Sequence, residues 1–230
     1  MDHKTEFGIQ LDKLEASSEM EIYRNLQALR ASYRVFNGNY HELMRCLEHL
    51  KDPRESLAMY APEQRENLEL LIDESSRLFH NFLASAKSLV DHTRVIVDRL
   101  YLNHEFRNEY QRKLDQEIAN NPVQKFVQKM RNYTQHYTLP ILALQIAFTG
   151  DIEMSVCVDV KILKQWGKDN WGSPVMAYLE TLGDDLCLTS LSSEYFTLVQ
   201  DFYRWLAERQ TQLHQSDLDN LQKMKDELVT

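Results

Sequence analysis

Residues 63–121, EQRENLELLIDESSRLFHNFLASAKSLVDHTRVIVDRLYLNHEFRNEYQRKLDQEIANN, run for 59 residues without a glycine or a proline. Within them Leu68, Leu71, Ile72, Ser75, Leu78, Phe79, Phe82, Ala86, Leu89, Val90, Val97 and Leu100 recur mostly at intervals of three and four. That period lines up side chains on one face of an α-helix, so one long core helix is predicted. Near Asn103 the pattern thins to Phe106, Tyr110, Leu114 and Ile118 among charged residues, which predicts a break and then a more exposed helix.

The whole chain shares this poverty of turn residues, with 6 Gly and 5 Pro in 230 residues. A fold of many strands and tight turns needs those residues for its special backbone angles, so an all-β or Rossmann-like protein is excluded in favour of a mainly α one. No Gly occurs between Gly38 and Gly150, and those at 150, 167, 172 and 183 match neither a dinucleotide-binding nor a P-loop pattern.

Upstream, residues 19–50 carry Ile22, Leu26, Leu29, Tyr33 and Phe36, then Leu43, Met44, Leu47 and Leu50, at helical spacing. Asn37-Gly38-Asn39 between the two sets reads as the end of one helix and the cap of the next. The segment around Pro53 and Pro62 reads as a loop. Downstream, Asn121-Pro122 is a helix start, with Asn at the cap and Pro at the first helical position. The helix that follows buries Val123, Phe126, Val127, Met130 and Tyr133 or Tyr137, and stops before Pro140.

From Ile141 the period falls to two, with Leu142, Leu144, Ile146 and Phe148 on one face. After Thr149-Gly150-Asp151 the positions Val156, Val158, Val160 and Ile162 alternate again, so 141–163 reads as a two-stranded β-hairpin. Residues 166–173 read as a loop. Helices resume over about 174–228, the strongest from about Ser192 past Leu213, with a polar final dozen residues expected as a frayed or exposed tail. Residues 1–230 are therefore expected to form a single domain: bundle helices over about 19–138, an inserted hairpin and a C-terminal helical extension.

The balance of 26 Lys and Arg against 35 Asp and Glu gives a net charge of −9, which disfavours sequence-independent binding along a long nucleic acid. Cys46, Cys157 and Cys187 form no CxxC pair and are odd in number, so neither a disulfide framework nor a zinc site is read from them. Reduced thiols, a polar start and no apolar stretch of membrane-spanning length predict a cytoplasmic protein without a membrane association. No metal site is expected, since no His pair stands one helical turn from another with a carboxylate on the same face. No cofactor is expected either.

One segment has the residue types for chemistry, Arg131-Asn132-Tyr133-Thr134-Gln135-His136. An Arg followed a few residues later by a His also occurs at Arg34/His41, Arg99/His104 and Arg209/His214, so spacing alone does not single it out. Only Arg131 is followed by a small amide. Asn132 and His136, four apart, share a helix face, and His136 falls in the last turn before Pro140. Residues 119–139 carry Lys125, Lys129 and Arg131 and no acid between Pro122 and Leu139, a local basic surface inside an acidic chain.

The stretch FVQKMRNYTQHYTLP, preceded by LFHNFLASAKSLVDHTR, resembles the HEPN superfamily over about residues 63–140. Its members are small helical bundles bearing an Arg, a polar residue and a His four to six residues after the Arg. The resemblance implies a metal-independent endoribonuclease of the kind found in toxin–antitoxin and defence systems, acting as a homodimer whose two motifs meet. It further implies Arg131 as phosphate clamp, His136 as acid and base and Asn132 as positioning amide; Lys125 and Lys129, from the local basic surface, and Tyr137 are expected as substrate contacts. RNA is the implied substrate, and an antitoxin or nucleotidyltransferase the implied partner. Some HEPN toxins place a modifiable Tyr two residues after the His; here Tyr137 comes one residue after it and position 138 is Thr, so that regulation is not carried over.

The chemistry agrees with these residue types. Cleaving RNA without a metal requires taking a proton from the 2′-OH, stabilising charge on the phosphorane and protonating the leaving 5′ oxygen, with a 2′,3′-cyclic phosphate as product. A His serves proton transfer and an Arg holds phosphate through paired hydrogen bonds. The alternative is a non-catalytic HEPN module binding a nucleotide or a protein partner. A purely structural reading has Arg131 paired to a neighbouring helix, Asn132 bonded locally and His136 on the last carbonyls. Asp91, His92 and Arg94, midway along the long helix, read as a solvated face, and Tyr195, Phe196, Phe202, Tyr203 and Trp205 as core or dimer surface.

Overall fold

In a computed structural model the described residues are 5–50, 61–148 and 152–229. The loop expected around Pro53 and the turn Thr149-Gly150-Asp151 lie outside them. The chain is mainly helical, with one small antiparallel sheet. Helix α1 (Glu6–Glu15) leads into α2 (Ser18–Glu48), whose N-cap Ser17 accepts from the Met20 N–H. After a single 3₁₀ turn at Pro62–Gln64 comes α3 (Arg65–Tyr101), about 55 Å long at 1.5 Å per residue.

The two helices expected over 19–50 are one. Gly38 lies inside α2, flanked by Phe36 and Leu43, both fully buried. Packing of α2 along α3 overrides the local preference of Asn-Gly-Asn for a turn: Phe36 stacks on Phe82 at 5.5 Å between centroids and on Phe196 at 5.8 Å. A mid-helix Gly costs about 1 kcal/mol, whereas fully burying one Leu or Phe returns about 1.5–3 kcal/mol.

The break near Asn103 is present. His104 Nδ1 accepts from the Phe106 N–H at 3.0 Å and opens α4 (Phe106–Leu114), which buries only Phe106 and Tyr110 before a π-helical turn at Asp115–Ala119. Helix α5 (Pro122–His136) starts as expected, with the Asn121 side-chain Oδ1 accepting from the N–H groups of Val123 and Gln124 at 2.9 and 3.4 Å.

Strand β1 (Leu142–Phe148) pairs antiparallel with β2 (Ile152–Asp159), Leu144 opposite Val156. The hairpin ends sooner than expected. Asp159 accepts from the N–H groups of Lys161 and Ile162 and caps a one-turn helix, α6 (Val160–Lys164), because a carboxylate at that position offers the backbone a helix start. The expected loop at 166–173 contains another turn, α7 (Lys168–Trp171), and Trp171 is wholly buried there, its indole N–H donating to the Leu163 carbonyl at 2.7 Å.

Helix α8 (Ser173–Thr181) follows, then a third strand that the sequence pattern did not announce, β3 (Asp185–Cys187), paired with β2 so that Cys157 stands opposite Cys187. Helix α9 (Leu188–Leu213) begins directly after it and sinks Tyr195, Phe196 and Phe202 into the core. The polar tail is helix α10 (Gln215–Glu227), whose Leu221 is buried with Leu14 and Met20 in a small second cluster beside α1 and α2. One apolar core otherwise runs through α2, α3, α5, α9 and the sheet.

Candidate functional site

Helix α5 positions the motif. Its inner face buries Val123, Phe126, Val127, Met130 and Tyr133. The Tyr133 ring is held among Trp166, Trp171 and Tyr137 at 5.3, 5.6 and 5.2 Å, and burial raises its phenol pKa. This aromatic cluster fixes the last turns of α5 against the 166–172 segment. The helix stops where expected: the N–H groups of Tyr137 and Thr138 both donate to the Tyr133 carbonyl, and Pro140 follows.

On the outer face, Arg131 Nη1 donates to Asn132 Oδ1 at 3.4 Å, while the Arg131 Nε is shielded from water without an acceptor. Among the described residues Arg131 forms no ion pair. His136 is exposed and makes no hydrogen bond to a described residue, nor one to Arg131 or Asn132. The structure thus brings Arg131 and Asn132 into contact and leaves His136 one turn on, at the end of the helix. Tyr137 is 59% exposed, next to Leu139 at 52% and Ile141 at 66%, an apolar surface bordering His136.

Asn132 also joins Lys125 and Lys129 in lining a groove of about 440 Å³, together with Lys87 of α3, Trp171 and Pro174. Lys129 reaches across to donate to the Asn170 carbonyl at 2.8 Å, and Lys125 lies 3.5 Å from Asn120 Oδ1. Lys87, which pairs with Asp91, was missed in the sequence because it comes from another helix 38 or more residues away, a juxtaposition that only the packing of α3 on α5 creates. The Asp91 cluster is otherwise as read, on a half-exposed face, with His92 Nδ1 2.7 Å from the Ser32 hydroxyl of α2.

In the other Arg–His matches the His is used by the fold. His41 lies against the rings of Tyr40 and Phe196. Arg99 donates to Asn25 Oδ1 at 3.0 Å, and His104 caps α4. Arg209 is paired with Glu109, and His214 bridges the Tyr101 hydroxyl at 3.0 Å and Asp217 Oδ2 at 2.8 Å.

Among the described residues no three His, Cys, Asp or Glu side chains come together in a metal-holding group, and no helix is long and apolar enough to cross a membrane. Comparison with known proteins finds no matching family model, no matching curated protein and no matching solved structure.

Proposed function

We propose that the protein is an HEPN-type, metal-independent endoribonuclease that works as a homodimer, with Arg131 clamping phosphate, Asn132 steadying the clamp and His136 transferring protons. One observation carries this reading. Among the Arg–His pairs described above, His41 lies against aromatic rings, His104 caps α4 and His214 bridges Tyr101 and Asp217, whereas His136 is exposed with neither a hydrogen bond nor a ring contact to a described residue, beside an Arg131 that forms no ion pair among the described residues.

The surroundings support it. The helix carries no acid, and Lys125 and Lys129 share a groove with Asn132, so the charge there is positive while the chain as a whole is negative. A phosphate oxygen needs such donors, and a single small basic surface selects a short or structured RNA over a long one. One His cannot act as base and acid in the same step; a second copy supplies the other. The exposed Tyr137, Leu139 and Ile141 beside His136 offer apolar area for that contact.

The test is incubation of the purified protein with mixed RNA in EDTA, compared with His136→Ala and Arg131→Ala, followed by identification of the new 3′ ends. Loss of a positioned acid or base costs about 10²- to 10⁴-fold, so wild type should give 2′,3′-cyclic phosphate ends and both variants almost none. Cleavage equal in all three, or absent from all three, overturns the reading. The second reading, a module that binds a nucleotide without cleaving it, is favoured by the groove itself, which is lined by lysines, Asn132, Trp171 and Pro174.

A further inference from the structure

Cys157 and Cys187 are 30 residues apart and fall in unrelated sequence contexts, yet the sheet register sets them directly opposite on β2 and β3. The type of pair follows from the ladder. Val160 N–H donates to the Asp184 carbonyl at 2.9 Å, which makes 160/184 a hydrogen-bonded position. Such positions alternate along an antiparallel pair. Position 158/186 is therefore hydrogen-bonded again, and 157/187 is the narrow, non-hydrogen-bonded kind. There the Cα atoms stand about 4.5 Å apart with side chains on the same face, inside the span of about 4.4–6.8 Å that a disulfide bridges.

The two thiols are not equivalent. Cys187 is only partly buried and occupies the N-cap of α9, a helix of 26 residues. The neighbouring Cys157 thiol, with the Ser190 and Thr189 backbone and the Ser190 hydroxyl at the start of α9, holds the pKa of Cys187 well below the usual thiol range. Cys157 is buried at 3% exposure, and the neighbouring Cys187 sulfur and burial raise its pKa. A partly exposed cysteine at a helix N-terminus facing a buried one across a strand pair is the arrangement of an attacking and a resolving cysteine. The third cysteine, Cys46, lacks it: it is half-buried on α2, 3.6 Å from the Ser75 hydroxyl, and burial pushes its thiol pKa up.

We propose that Cys187 and Cys157 are a redox pair that a hydroperoxide closes into a disulfide between β3 and β2. The Cys187 sulfur attacks the peroxide, the O–O bond breaks, and the alcohol or water leaves with a proton, giving a sulfenic acid at Cys187. The Cys157 sulfur then attacks that sulfur, the S–O bond breaks, and hydroxide leaves as water with the Cys157 proton. Two thiols and one hydroperoxide become one disulfide, one water and one alcohol or second water; the thiols give up two electrons and the peroxide takes them.

The test uses the full chain treated with hydrogen peroxide, alkylated with iodoacetamide and mapped by mass spectrometry without reduction. A loss of about 2 Da is expected, located in a peptide linking Cys157 to Cys187 and reversed by dithiothreitol, with Cys46 still alkylated. Cys157→Ser should leave a sulfenic acid at Cys187 that dimedone traps, and Cys187→Ser should abolish both the link and the adduct. Circular dichroism of both variants checks that the helices persist. The proposal is overturned if Cys46 oxidises while the 157–187 link does not form, or if Cys187→Ser is labelled by dimedone at Cys157 as fast as Cys157→Ser is at Cys187.

Discussion

Arg209 and Glu109, one hundred residues apart, meet as a two-pronged pair in which Nε donates to Oε1 and Nη2 to Oε2, each at 2.8 Å. The pair ties α9 to α4, which buries only Phe106 and Tyr110, and the Arg209 guanidinium holds the Glu109 carboxyl below the usual glutamate range. A carboxyl whose pKa is lower folded than unfolded stabilises the fold above its unfolded value, and that contribution is lost as pH falls through the folded one. Glu109→Gln should therefore lower the melting temperature at neutral pH. The gap to wild type should narrow as pH is taken below the ordinary glutamate range. A gap that stays constant with pH would assign the loss to packing instead.

Gly38 sits in the middle of α2 with nothing within 4 Å of where a Cβ would stand. Gly38→Ala should stabilise the protein by about 1 kcal/mol through helix propensity and a less flexible unfolded chain. For a chain of this size that is a rise in melting temperature of about 2–4 °C, readable by calorimetry.

Asn121 caps α5, and its side-chain oxygen serves two backbone donors. Asn121→Ala should cost about 1 kcal/mol, whereas Asn121→Asp keeps the acceptor and should cost little. If the two variants unfold at the same denaturant concentration, the cap is not what starts this helix.

The proposed RNA contact is small, and its salt dependence measures how small. Three cations on α5, Lys125, Lys129 and Arg131, give a slope of log affinity against log salt of about −2 for single-stranded RNA. Lys125→Gln and Lys129→Gln should each flatten it by about 0.7. A much steeper slope in fluorescence anisotropy titrations would place the RNA on a broader surface than α5.

Much of the architecture was legible in local pattern. The long helix at 65–101, its break after Tyr101 and the cap at Asn121 each follow from period, punctuation or a capping side chain within a few residues. What failed was settled by contacts far away in sequence. Asn37-Gly38-Asn39 locally favours the end of one helix and the cap of the next, and only Phe36 stacking on Phe82 and Phe196 shows why the helix continues. Strand β3 is three residues long, too short for a period to show, and exists because β2 offers it an edge. The candidate site divides the same way. Arg131, Asn132, Lys125 and Lys129 belong to one helix and are legible together, while Lys87 is brought in by tertiary packing.

Cys187 ends β3 and is also the residue that opens α9, so no linker separates strand from helix. A hinge needs at least one residue whose φ and ψ are free to turn, and here every one is committed either to the ladder or to the first helical turn. Helix α9 in turn reaches α2, α5 and α10. The sheet and the bundle are thereby joined as a lever is to its shaft: β3 cannot swing without peeling from β2 or unwinding α9, and amide exchange in β2 and in the first turn of α9 should report a single opening event.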